Sequence, residues 1–129
     1  MFSPSPRGRA NLAGKRVLLI DRNQPTRDVR ASVLRSRGIE VHAADSLQAA
    51  RFLWQPNLYR FILLDVRRHL PGEALEFYER VRTASPKEHF VFLVGPPAYL
   101  SLTWPDDVTA TEKEPQQWAE TIKRFLAAA

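Results

Sequence analysis

Two carboxylates in this chain stand where chemistry is done. Asp21 closes the apolar run Val17-Leu18-Leu19-Ile20, and Asp65 closes Phe61-Ile62-Leu63-Leu64. An apolar run of that length reads as a strand buried on both faces, with the acid emerging at its carboxyl end. Open α/β sheets form their sites along that edge. If the two strands are neighbours, Asp21 and Asp65 meet there. Paired acids can hold a divalent cation between them, or be held themselves by cationic side chains. Some other chemistries are excluded. The chain has no cysteine, which removes disulfides, thiolate metal sites and cysteine nucleophiles. His42, His69 and His89 are scattered without metal-ligand spacing and read as surface or loop residues.

The elements that would position the acids follow in order. Residues 15–21 form a first strand and residues 21–24 a polar loop. Pro25 suits the first position of a helix. Val29, Val33 and Leu34 supply that helix's apolar stripe, and Gly38 ends it. Residues 40–44 alternate as a short strand. Asp45 or Ser46 caps a second helix with Leu47, Ala50, Leu53 and Trp54 inward, broken at Pro56-Asn57. The third strand is 61–65, followed by a loop over 66–72. A third helix over 73–84 buries Leu75, Phe77, Tyr78 and Val81, and Ser85-Pro86 ends it. A fourth strand covers 90–94. Pro96, Pro97 and Pro105 argue against a long helix after it. A short fifth strand lies within 107–111, and Trp118, Ile122, Phe125 and Leu126 share one face of a last helix. Alternating strands and helices of this kind predict a parallel sheet covered on both faces by right-handed crossovers.

The whole chain, 129 residues with 44% hydrophobic, suits one domain, residues 15–129, behind a disordered tail, residues 1–14. The tail has no apolar core of the signal-peptide type. No apolar run is long enough to span a bilayer, and the lack of cysteine fits the cytoplasm. The net charge of +5 comes from arginines dispersed along the helices. No aromatic residues interleave with a basic run, so the charge reads as a solvated surface and nucleic-acid binding stays a minor alternative.

In order and spacing, the motifs resemble a response-regulator receiver domain, the CheY-like, flavodoxin-like fold of two-component signalling. The likeness runs from about Lys15 to Leu126. It is strongest over Val17 to Asp28, with Gly38-Ile39-Glu40-Val41, Ala44, the run into Asp65, and Lys113-Glu114-Pro115 before the last helix. The resemblance implies a doubly wound five-stranded parallel sheet in order 2-1-3-4-5. It puts Asp65 at the phosphoacceptor position and Asp21 at the first of two magnesium-holding acids. Lys113 matches the lysine that contacts the phosphoryl group. The departures are equally specific. Arg22 replaces the second acid. The switch hydroxyl falls on Gly95, which has no side chain. His69 stands where the family has a proline four residues after the acid. The fourth helix is missing or shortened.

These losses imply an atypical receiver. A guanidinium from Arg22, Arg67 or Arg68 would take the place of the cation. The expected role is a non-enzymatic, phosphorylation-independent protein-interaction module with no cofactor. A protein partner or a second copy would use residues 95–126, with Leu100, Leu102 and Trp104 as interface candidates. Trp54 and Trp118 read as core. The alternative is a phosphorylatable receiver that uses Asp65, magnesium and a histidine kinase. A basic nucleic-acid-binding domain is a second alternative.

Overall fold

The strands with the fewest polar residues need cover on both faces, and they take the middle of the sheet. The structure is a computed structural model that describes residues 16–94 and 109–111. It runs β1 (Arg16–Ile20), α1 (Gln24–Ser36), β2 (Glu40–Ala44), α2 (Leu47–Leu53), β3 (Phe61–Asp65), α3 (Pro71–Ala84), β4 (His89–Val94) and β5 (Thr109–Thr111). The five strands are parallel in order β2-β1-β3-β4-β5. Every residue of β3 is buried, and so is β1 from Val17 to Ile20. β2, which carries Glu40 and His42, sits at the edge.

The two-residue period of the strands divides the core in two. Leu18, Ile20, Ile62, Leu64, Phe90 and Phe92 face α2 and α3, where Leu47, Ala50, Phe77, Tyr78 and Val81 join them. Val17, Leu19, Phe61, Leu63, Val91 and Leu93 face the other way, against Ala31 and Leu34 of α1. The first face is the more aromatic. Trp54, Phe77, Tyr78, Phe90 and Phe92 make edge-on or tilted contacts with centroids 5.0–6.2 Å apart. Each such side chain contributes about 1.5–3 kcal/mol by leaving water.

Helix ends follow local rules. Asn23 caps α1 through its side-chain oxygen, which accepts from Thr26 N–H at 3.0 Å. α1 thus begins at Gln24, one residue before Pro25. It stops in a Schellman motif: Gly38 N–H donates to Arg35 O and Ile39 N–H to Leu34 O. Gly38 has φ +80°, a region that favours glycine. Of the two candidate caps for α2, Ser46 does the work, accepting from Ala49 N–H at 3.1 Å.

Three expectations need correction. The buried side of α1 runs through Ala31 and Leu34, while Val29 is 63% exposed and Val33 half-buried. α3 begins at Pro71, so the loop after Asp65 is shorter than 66–72. In α3, Ala74 is buried together with Phe77, Tyr78 and Val81, and Leu75 is half-buried. The two stripe corrections share one cause. A β-branched or long apolar residue drew the stripe toward itself, when small residues are what let a helix approach the sheet. Trp54 is core, as its spacing implied; its indole N–H donates to Glu88 at 3.1 Å. The expected shortening of the fourth helix, the tail and Trp118 lie outside the described residues.

Candidate functional site

The strand order brings the two acids together. Asp21 follows the last residue of β1, and Asp65 is the last of β3, directly alongside. Both are almost fully buried, at 1% and 2% exposed. A bare pair of carboxylates there would repel, so the geometry of their partners decides what the corner can do.

Asp21 is held largely by its own loop. Its Oδ1 accepts from Asn23 N–H at 2.9 Å, and its Oδ2 accepts from the Thr26 hydroxyl at 2.7 Å. Arg27 donates to the Asp21 backbone carbonyl at 3.0 Å. Asp65 is held by arginine. Arg67 donates from its backbone N–H and Nε to Oδ1, at 2.9 and 3.0 Å, and from Nη2 to Oδ2 at 2.9 Å. Burial pushes the Asp65 carboxyl up, but the Arg67 bonds and the Arg30 charge outweigh it and hold the group below the usual carboxylate range.

One atom joins the two acids. Nη1 of Arg30 lies 2.9 Å from Asp21 Oδ2 and 2.6 Å from Asp65 Oδ2. The Arg30 side chain is only 11% exposed. A fixed cation thus sits between the carboxylates, where a metal bridging them would have to bind. Both oxygens of Asp65 already accept two N–H groups each. The residues present do not fit a magnesium ion. The bridging oxygens are taken by guanidinium, and Arg22, next to Asp21 in the chain, adds a further positive charge.

The expectation that a guanidinium occupies this corner holds for Arg67. Arg30 was missed. Arg22 and Arg68 instead make no ion pair or hydrogen bond among the described residues, although both line a small cleft of about 70 Å³ with Asp21, Asn23 and Arg67. A signal for Arg30 did exist. It stands four residues after Thr26, so the two share a helix side, and Thr26 touches Asp21. The stripe drawn through Val29 and Val33 hid it.

The loop after Asp65 is built on a turn in which His69 N–H donates to Val66 O at 3.3 Å. Arg68, at the turn's third position, has φ +64°. A non-glycine residue there costs on the order of 1–2 kcal/mol. His69 is a loop histidine but not a surface one. It is 9% exposed, and neither ring nitrogen has a hydrogen-bond partner among the described residues. Burial, with the charge of Arg22, pushes its pKa down, against the pull of Asp65, Glu73 and Asp21. Lys113, Gly95, Leu100, Leu102 and Trp104 lie outside the described residues, as does the rest of the 95–126 partner surface apart from β5.

No family model matches the chain, and no curated protein matches it by sequence. Solved structures do. The non-phosphorylated HemR receiver domain from Leptospira biflexa superposes with a TM-score of 0.71 at 20% identity, covering 88% of this chain and 94% of that one. A CheY-like response-regulator receiver domain protein from Methanospirillum hungatei gives 0.67 at 22%, covering 88% and 94%. A response-regulator receiver protein from Sinorhizobium medicae gives 0.68 at 20%, covering 88% and 95%. The chain has the receiver fold. At these identities the likeness is one of fold, and the receiver fold is what sets Asp21 and Asp65 side by side. No helix among the described residues is long and apolar enough to cross a membrane.

Proposed function

We propose that this chain is an atypical receiver that acts as a phosphorylation-independent signalling module through protein contacts. On this reading it catalyses no reaction, takes no cofactor and works in the cytoplasm. The observation that carries it is the position of Arg30 Nη1 between the two carboxylates, 2.9 and 2.6 Å away. Phosphoryl transfer to an aspartate needs a free oxygen lone pair in line with phosphorus and a cation that coordinates both partners. In this corner the Asp65 oxygens are engaged by Arg30 and Arg67. Arginine supplies charge but has no open coordination position to share with an incoming phosphate. The corner therefore holds one state, set by protein groups instead of by phosphate. The receiver fold of the solved structures supports a signalling role for the scaffold.

The test is acetyl phosphate with magnesium, read by intact mass and backbone NMR, on wild type, Arg22→Asp and Arg22→Asp/Arg30→Ala. Wild type and Arg22→Asp stay unphosphorylated and show no magnesium-dependent shifts at Asp21 or Asp65, because Arg30 still fills the corner. The double variant gains magnesium binding. A phosphoryl group on Asp65 of wild type would overturn the proposal in favour of a working phosphoacceptor.

A further inference from the structure

The arginines around the corner divide into two sets. Arg30 and Arg67 are committed to Asp21 and Asp65. Arg22 and Arg68 both line the cleft, exposed and with no ion pair or hydrogen bond among the described residues. With Arg27 on the Asp21 carbonyl, five guanidinium groups surround two buried carboxylates. The edge around the two acids is thus rich in positive charge. The cleft itself is small, about 70 Å³. Asp21 lines the cleft too, but its oxygens already accept from Asn23, Thr26 and Arg30.

The loop displays this surface on purpose-built geometry. Val66 and His69 are buried and anchor the turn, while Arg67, Arg68 and Leu70 point outward. Arg68 holds a left-handed backbone that glycine or asparagine would adopt with less strain, and backbone outliers of this kind collect at functional sites. Leu70, next in line, is 67% exposed. The patch is therefore cationic with an apolar residue beside it.

We propose that this corner docks an acidic segment of a partner protein, with one carboxylate side chain between Arg22 and Arg68 and an apolar side chain on Leu70. The proposal rests on the interaction-module reading and names the partner class for it. Charge complementarity selects the acid. Three features favour a peptide over a nucleic acid: these five arginines meet at one corner instead of along a track, the cleft is small, and Leu70 offers apolar contact where a base would need an aromatic platform.

The probe is a fluorescent peptide of Glu and Leu residues, measured by anisotropy on the full chain, beside a control peptide with Gln for Glu. Wild type binds the acidic peptide in a salt-sensitive way and the Gln peptide at least about ten-fold more weakly. Arg22→Glu/Arg68→Glu loses binding by about ten-fold or more, Leu70→Ala by a few-fold. Arg82→Glu/Lys87→Glu, a reversal of two exposed cations at the opposite edge of the sheet, leaves it unchanged. Circular dichroism confirms that each variant is folded. Equal binding by both peptides, retention in the Arg22/Arg68 variant, or an equal loss in the Arg82/Lys87 variant would overturn the proposal. Preference for duplex DNA over the peptide, lost with Arg22 and Arg68, would overturn it in favour of nucleic acid. Failure here with Asp65 still unphosphorylated leaves the module reading standing. Phosphorylation of Asp65 removes that reading whatever the peptide does.

Discussion

Asp21 and Asp65 end identical patterns and lie side by side, yet they are held in different ways. Asp21 accepts from a backbone N–H and a hydroxyl two and five residues on, so it helps to tie the start of α1 to β1. Asp65 accepts three bonds from Arg67 and one from Arg30, so it is an electrostatic hub. Arg30 is common to both. The difference teaches that an apolar run fixes where an acid goes, while the residues after it decide what the acid does. Asn23 and Thr26, at the start of α1, make an anchor of Asp21. Arg67, second in the loop that follows, makes an occupied pocket of Asp65.

Removing the shared cation gives the largest effect. Arg30→Ala leaves two buried carboxylates facing each other, and breaking a buried pair costs about 3–5 kcal/mol. Urea unfolding at pH 7 measures it. A loss below about 1 kcal/mol would mean that Arg30 is dispensable and that the two acids are independent.

The next break touches Asp21 alone. Thr26→Val keeps the shape and removes the hydroxyl donor, and a hydrogen bond to a charged group is worth about 1.5–3 kcal/mol. Backbone NMR should show shifts confined to the β1–α1 loop. Shifts of equal size at Arg67 would show that the two acids form one network.

The smallest effect falls on Asp65 alone. The Arg67 side chain is 44% exposed, so Arg67→Ala costs about 1 kcal/mol or less at pH 7. The pH dependence identifies its origin. Asp65 has a folded pKa below its ordinary value, so its stabilising contribution is complete above about pH 4 and is lost as pH falls through the folded value. The gap between wild type and Arg67→Ala should therefore close in acid. A gap that persists after Asp65 has been protonated would assign the cost to packing instead of charge.

Much of this protein could be read from the residues in line. The apolar runs Val17–Ile20 and Phe61–Leu64 can be satisfied only by cover on both faces, which makes them central parallel strands and sets Asp21 and Asp65 at one edge. Gly38 marked the end of α1 because only glycine takes its backbone at little strain. The partner of the acids was not legible in the same way. Arg22 adjoins Asp21 in sequence but is exposed at the cleft, whereas Arg30, nine residues away, reaches both acids after two turns of helix. Strand character is decided by a residue's own chemistry and its immediate neighbours, so local pattern reveals it. Charge pairing falls off with distance through space and takes no account of distance along the chain, so it waited on the packing of α1 against the sheet.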